Sequence, residues 1–364
     1  MKRILYPFAG QSVGGSHIST ALILKHLDRQ KFTPVIVLEG DAPLQKSLME
    51  SHGLGVIEGD IRIPKSLADL IKNPLGFVKN LLKARAFLKK NAIDLIHCDD
   101  GPARYIWFYA AALAGVPYLH AQRTILKPGL EKTFALRRMA AVVANSERTK
   151  ASLPAGVTRY VIAPLIELPP AGRARQSPEN RVLNIGYLSN MYGQKRPDVF
   201  LEAASILHKT RPGAFDFVMA GAFYQGWEPK VKSLAADLGI ADHVRFTGFV
   251  EKPLEVLEGF DLLIAPAEHE AFGRVLVEAM TLGVPVIAAR DGGHIEIIRD
   301  GENGFLCVPG DAQEFAAKAL SVLDNKALYE NFSQAGLDTA KTYDAENLSK
   351  KFQALYDQIP GERE

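Results

Sequence analysis

The stretch that most constrains this chain runs from Ala265 to Gly293, APAEHEAFGRVLVEAMTLGVPVIAARDGG. Leu262-Leu263-Ile264-Ala265 just before it is an apolar run short enough for a buried parallel strand. Ala267-Glu268-His269-Glu270 is a polar break, after which helical spacing begins near Phe272, runs to Thr281 and stops at Gly283. Val284 to Ala288 reads as the next buried strand. Strand, loop, helix, strand is one βαβ unit. In open sheets built from such units the ligand crevice lies beyond the carboxyl ends of the strands. Glu270 falls in that crevice.

The spacing around Glu270 carries the chemistry. Glu278 follows with seven residues between, which spans roughly 12 Å if every step is helical. Between the two carboxylates, the unpaired N–H groups of the first helical turn, near Gly273, Arg274 and Val275, form an anion site. Gly273 has no side chain to block close approach. One carboxylate can therefore take sugar hydroxyls, the helix end a phosphate and the other carboxylate a ribose. The plainer alternative is a capping Glu270 and a solvated Glu278.

The motifs Glu270-x-Phe272-Gly273, Glu278-Ala279-Met280, Gly283-x-Pro285-Val286 and Gly292-Gly293-x-x-Glu296 resemble the donor-site block of retaining GT-B glycosyltransferases, family 4 (group 1) type. The resemblance covers most of the chain. It implies two facing Rossmann-like parallel-sheet domains with a cleft between and a C-terminal crossover helix. It also implies a nucleotide-sugar substrate, with UDP the commonest nucleotide in the family. No separate cofactor and no metal is expected.

Length and composition fit this frame. The 364 residues suffice for two domains, and 47% apolar content supports a full core in each. Two cysteines, Cys98 and Cys307, cannot build a disulfide framework, so a reduced, cytoplasmic protein is expected. The N-terminal apolar run is too short for a signal peptide, and no run of about 18 apolar residues suggests a membrane span. The net charge of +2 conceals an asymmetry: residues 1–165 carry 23 Lys and Arg against 12 Asp and Glu, the remainder 20 against 29. The basic half is expected to meet something anionic. Nucleic acid is disfavoured, because no aromatic-interleaved basic patch, zinc spacing or helix-turn-helix pattern is present.

Along the first half, the strand Arg3–Phe8 runs into a glycine-containing loop, Ala9 to Ser16, before a helix. The loop suits a phosphate but is not Gly-x-Gly-x-x-Gly. The resemblance sets its Gly14-Gly15 pair against the donor diphosphate. The segment Phe77–Lys90 is basic and amphipathic, with Lys79, Lys83 and Lys90 on one face. A solvated outer face is its default reading. Peripheral contact with an anionic membrane, at the inner face of the cell membrane, is the alternative. Asp99-Asp100 at a strand end is poor evidence for a metal. His120 ends another strand, and the resemblance places it beside the donor sugar and reacting centre. Arg123 is a candidate for acceptor contact.

Prolines 164, 169, 170 and 178 with Gly172 mark a boundary. The expected organisation is an acceptor-side domain at 1–165, a linker at 166–181, a nucleotide-sugar domain at 182–343 and a crossover helix at 344–364. In the second domain, Lys195 and Arg196 sit in a strand-to-helix loop suited to a diphosphate. The family has an Arg or Lys and then a Lys here. Lys195 matches the second, but Tyr187 and Tyr192 stand where the first is sought, leaving Arg196 or Arg274 as substitutes. The resemblance also brings Phe249 near the nucleobase, although a phenylalanine there is more often core.

These readings lead to a retaining, metal-independent hexosyltransferase. Its donor would be a nucleotide-sugar, and its acceptor a sugar, a lipid-linked glycan or another small hydroxyl compound in surface polysaccharide synthesis. Glu270 and His120 would lie at the reacting centre. The rivals are a catalytically weak nucleotide-sugar-binding protein and a nicotinamide-dependent oxidoreductase, the latter opposed by the missing dinucleotide fingerprint.

Overall fold

The computed structural model describes residues 1–10, 13–63, 72–99, 101–126, 130–169, 173–179 and 181–360. Gln11, Ser12, Asp100, Pro170 and Gly172 lie outside the described residues. The chain divides into two compact units, Met1–Leu165 with Ala345–Glu364, and Ile166–Asp344.

The first unit is a parallel sheet of β1 (Lys2–Phe8), β2 (Phe32–Glu39), β3 (Ile57–Gly59), β4 (Leu95–Cys98), β5 (Tyr118–Gln122), β6 (Ala141–Ala144) and β7 (Arg159–Val161). Their spatial order is β3-β2-β1-β4-β5-β6-β7. The second unit contains β8 (Leu183–Leu188), β9 (Phe215–Ala220), β10 (Val244–Gly248), β11 (Leu262–Ala265), β12 (Val286–Ala289) and β13 (Phe305–Cys307). Its order is β10-β9-β8-β11-β12-β13. Both are doubly wound sheets whose order reverses beside the first strand, β1/β4 in one unit and β8/β11 in the other. Every residue of β4, β6, β11 and β12 is buried. Helices cover both faces of a doubly wound sheet, so its strands read as unbroken apolar runs.

Helix ends follow local chemistry. Ser146 and Asp311 cap the helices Glu147–Ala151 and Ala312–Leu323, accepting from the Thr149 and Glu314 amides at 3.0 and 2.9 Å. The helix expected from Phe272 starts two residues later, at Arg274, because Gly273 has φ +101°. That left-handed turn ends the bend and cannot belong to a right-handed helix.

The helix Ala345–Gln358 packs within the first unit. Its Phe352 and Tyr356 are fully buried. The Tyr356 hydroxyl lies 3.2 Å from that of Tyr6 and 2.6 Å from His97 Nδ1, and Lys2 Nζ donates to the Tyr356 carbonyl at 2.7 Å. The residues read as a linker pack on the second unit: the Arg175 amide donates to Ser333 Oγ at 2.7 Å, and its guanidinium donates to the carbonyls of Phe260, Leu282 and Glu258.

Candidate functional site

One cavity of the second unit lies at the β8/β11 switch point. It measures about 150 Å³ and is walled on one side by Tyr187, Leu188 and Ser189 at the carboxyl end of β8, and on another by Ile264, Ala265, Pro266 and Ala267 at the carboxyl end of β11. Lys195, Glu270, Gly273, Arg274, Val275 and His294 complete it. The strand order creates this opening, because the chains leaving β8 and β11 turn to opposite faces of the sheet.

Two neighbouring loops pin the segment that carries Glu270. The Glu268 amide donates to the Gln194 carbonyl at 2.9 Å, and Gln194 Nε2 donates to the His269 carbonyl at 2.9 Å. The His269 amide donates to Asp291 Oδ2 at 2.7 Å, and the Gly293 amide to the Glu270 carbonyl at 2.7 Å. His269 has φ +54°, a conformation that a non-glycine residue holds only when its surroundings impose it. Gly292 has φ +58°, and a Cβ there would collide with the Glu270 carbonyl oxygen and lie 2.7 Å from its amide nitrogen. A Cβ at Gly293 would lie 2.5 Å from the Phe272 carbonyl oxygen. The Gly-Gly pair is thus a close approach of two backbones.

The two carboxylates expected to take sugar and ribose hydroxyls are ion-paired. Glu270 Oε2 accepts from Lys195 Nζ, with both side chains about four-fifths buried. Glu278 Oε1 accepts from Arg274 Nε at 2.5 Å, one helical turn away. Glu278 does not line the cavity that Glu270 enters. Because Glu270 precedes the helix in a bend, the eight steps to Glu278 are not all helical. Arg196 is held elsewhere: its guanidinium binds Asp198 at 2.9–3.1 Å and also Glu268. Of the two substitutes for the missing family cation, Arg274 lines the cavity and Arg196 does not. Tyr187 is buried, and its hydroxyl donates to the Lys195 carbonyl at 3.2 Å. It braces the loop at the place where the family has a cation.

Phe272 is buried and packs edge-on against Tyr343 at 5.4 Å, so only its backbone faces the Gly-Gly loop. Val275 reaches the cavity. Phe249 follows β10 and is 75% exposed, so it is not core. His294 is a site residue that the sequence marks only through the Gly292-Gly293 pair directly before it. It is buried, and Nδ1 lies 3.1 Å from the Ala289 carbonyl. Burial depresses its pKa, against an opposing pull from Glu270.

In the first unit, Gly14 caps the helix Gly15–Lys25 at the end of the β1 loop, and its neighbourhood is open, with nothing within 4 Å of a Cβ placed there. His120 is buried in the middle of β5, which runs two residues past the end read from the sequence, and its Nε2 lies 3.2 Å from Gln122 Oε1. Gln122 Nε2 donates to the Thr124 carbonyl at 2.7 Å, which leaves Oε1 to accept from His120. Arg123 pairs with the buried Asp99 at 2.8 Å, and Asp99 also accepts from Thr20 Oγ1. Burial alone would raise the Asp99 carboxyl, but Arg123, His97 and Thr20 outweigh it and hold it below the usual range. Arg123 is committed to that carboxylate.

Burial pushes the His97 and His120 imidazoles down to about 4, with Arg104 adding to the effect at His120. In the unfolded chain they titrate near 6.5. Between about pH 6.5 and 4 the unfolded chain therefore binds more protons, and unfolding becomes easier as pH falls. Urea midpoints measured from pH 7.5 to 4 are expected to drop across that window by a few kcal/mol in stability. Midpoints that stay level would contradict the burial of both neutral imidazoles.

The model for glycosyl transferases group 1 matches residues 173–339, and that for glycosyltransferase family 4 matches residues 13–168. A D-inositol 3-phosphate glycosyltransferase of Acidothermus cellulolyticus is 28% identical over 363 residues, covering 86% of this chain and 78% of that protein. An N-acetyl-alpha-D-glucosaminyl L-malate synthase of Bacillus anthracis is 33% identical over 127 residues, covering 35% of this chain and only 33% of that protein. Among solved structures, Anabaena HepE in complex with UDP and glucose superimposes with a TM-score of 0.81 at 22% identity, covering 99% of this chain and 100% of that one. The doubly wound sheets are those of the GT-B fold, and the chain belongs to the glycosyltransferases of the group 1, family 4 type.

Proposed function

We propose that this protein is a retaining hexosyltransferase that takes its sugar from a UDP-sugar and transfers it to a hydroxyl acceptor in surface polysaccharide or lipid-linked glycan synthesis. The observation that carries the reading is the β8/β11 cavity, where Lys195 and Glu270 stand beside the first turn of a helix. The Arg274 and Val275 amides and Lys195 supply positive potential for a departing diphosphate, the work that a metal ion does in other enzymes. Glu270 orients donor hydroxyls once the incoming phosphates draw Lys195 from it, and Glu278 takes the ribose. The acceptor oxygen attacks from the face that the nucleotide leaves, and a departing phosphate oxygen receives its proton. The resemblance adds His120, neutral because it is buried, at the reacting centre. The names of the D-inositol 3-phosphate glycosyltransferase and the N-acetyl-alpha-D-glucosaminyl L-malate synthase among the relatives support a small polar acceptor class.

The test is a binding and turnover series. UDP is expected to raise the melting temperature, and a UDP-sugar to release UDP slowly by hydrolysis; no response to any of UDP, GDP or ADP would end the reading. Glu278→Ala is expected to weaken UDP binding about tenfold, the value of one hydrogen bond to a charged group. Unaltered UDP affinity would remove Glu278 from the site. NADH is expected to produce no melting shift.

Membrane contact belongs to the same proposal. On the helix Pro74–Lys90, Leu75, Val78 and Leu82 are exposed one turn apart, at 83%, 49% and 54%. Lys79 and Lys83 flank them, the latter 2.6 Å from Asp60. An exposed apolar stripe edged with lysines suits an anionic bilayer surface. Among the described residues no helix is long and apolar enough to cross one. Co-sedimentation with phosphatidylglycerol vesicles is expected to fall at least tenfold when Lys79, Lys83 and Lys90 become Glu. Equal sedimentation of both forms would discard the contact.

A further inference from the structure

We infer that His294 is a donor-sugar selector: its Nε2 lone pair accepts a hydrogen bond from a hydroxyl of the transferred sugar, placing the sugar, not the phosphates, at this end of the cavity. The inference rests on the nucleotide-sugar reading of the same site and adds a residue to it.

Three observations carry it. First, Nδ1 faces the Ala289 carbonyl at 3.1 Å. A carbonyl only accepts, so Nδ1 carries the proton and Nε2 is an acceptor. Second, the ring lies against the start of the cavity helix. A Cβ on Gly273 would sit 2.6 Å from His294 Cδ2 and 3.1 Å from Nε2. Gly273 therefore has to be a glycine partly to make room for this imidazole. Third, His294 lines the cavity with Lys195 and Glu270, and among the described residues Nε2 meets no hydrogen-bond donor.

The chemistry decides which ligand atom belongs there. The amides of the first turn offer donors to an anion, but an imidazole lone pair repels a phosphate oxygen. It needs a partner with a hydrogen to give. In a nucleotide-sugar, the groups of that kind at the transferred end are ring hydroxyls. Glu270 presents a second acceptor in the same cavity, so two acceptors converge on one polyol. The Gly293 amide bond to the Glu270 carbonyl ties them together at 2.7 Å, fixing their relative positions to suit one pattern of hydroxyl stereochemistry. A site that must pair a substrate hydroxyl discriminates strongly against analogues that lack it.

The experiment compares affinities for UDP and UDP-glucose, and for GDP and GDP-mannose, in wild type, His294→Phe and His294→Gln. Phenylalanine keeps the planar contact on Gly273 and removes the acceptor, whereas glutamine restores one. The expected result is a loss of ten- to hundredfold in nucleotide-sugar affinity for His294→Phe, with free nucleotide affinity within about twofold of wild type and partial recovery in His294→Gln. Free nucleotide affinity also reports that the variant is folded. A His294→Phe protein that keeps the wild-type preference for nucleotide-sugar over nucleotide would overturn the inference alone, as would equal losses for both ligands. A wild-type protein that binds none of the four would bring down the glycosyltransferase reading first, and this inference with it.

Discussion

Lys195→Ala is expected to slow sugar transfer by about 10²–10³-fold, the cost typical of removing one group that stabilises developing charge in a water-poor site. Lys195 lines the cavity, its ammonium binds Glu270, and the Tyr187 hydroxyl holds its backbone at 3.2 Å. In the transition state of the proposed reaction, negative charge grows on the departing diphosphate. A cation already in position responds without reorganising. The substitution has a second effect: it leaves the Glu270 carboxylate, about four-fifths buried, without its partner, and burying an unpaired charge is costly. The two effects separate in a double-mutant cycle. If Lys195 and Glu270 act as a unit, Lys195→Ala with Glu270→Ala loses far less than the product of the single losses. The measurement is the initial rate of UDP release with acceptor present. A loss below tenfold for Lys195→Ala would remove it from the role assigned here.

Gly292→Ala is expected to lower turnover at least hundredfold while costing about 1–3 kcal/mol of stability. The new methyl collides with the Glu270 carbonyl, and φ +58° is unfavourable for alanine. The Glu268–Glu270 segment has to shift, and it already carries hydrogen bonds to Gln194, Asp291 and Gly293. A displacement of about 1 Å at a catalytic group is enough for such a loss. Gly301→Ala is the control. Gly301 has φ +81° with nothing within 4 Å of an added Cβ, so it tests backbone strain without the collision. Its melting temperature is expected to fall slightly and its turnover to stay at the wild-type level. Equal turnover in Gly292→Ala and wild type would show that the close approach does not position Glu270.

The elements of the cavity were legible in the chain to the extent that their causes are local. The apolar runs at Leu262–Ala265 and Val284–Ala288 read as strands because a covered parallel sheet buries every residue of each, although the second strand forms at Val286–Ala289. Asp311 and Ser146 announced helix starts because a cap is a contact over three residues. The Gly292-Gly293 pair was legible as a motif, but its reason, collision with Glu270 and Phe272, was not. Phe272 read as part of the donor site by position, whereas its ring packs on Tyr343, 71 residues away in the chain.

By itself the sequence determined the βαβ alternation, the positions of Glu270, Lys195 and Gly273 at strand-to-helix turns, and the family motifs. Only the tertiary structure decided which charges meet: Lys195 with Glu270, Arg274 with Glu278, Arg196 with Glu268 and Asp198, Arg123 with Asp99. It alone brought His294 to the cavity wall. The physical reason is that periodicity and capping record interactions within a few residues, while the partners of a loop side chain depend on which strand ends are neighbours. The order β9-β8-β11-β12 sets that adjacency, and distant stretches of the chain settle it together.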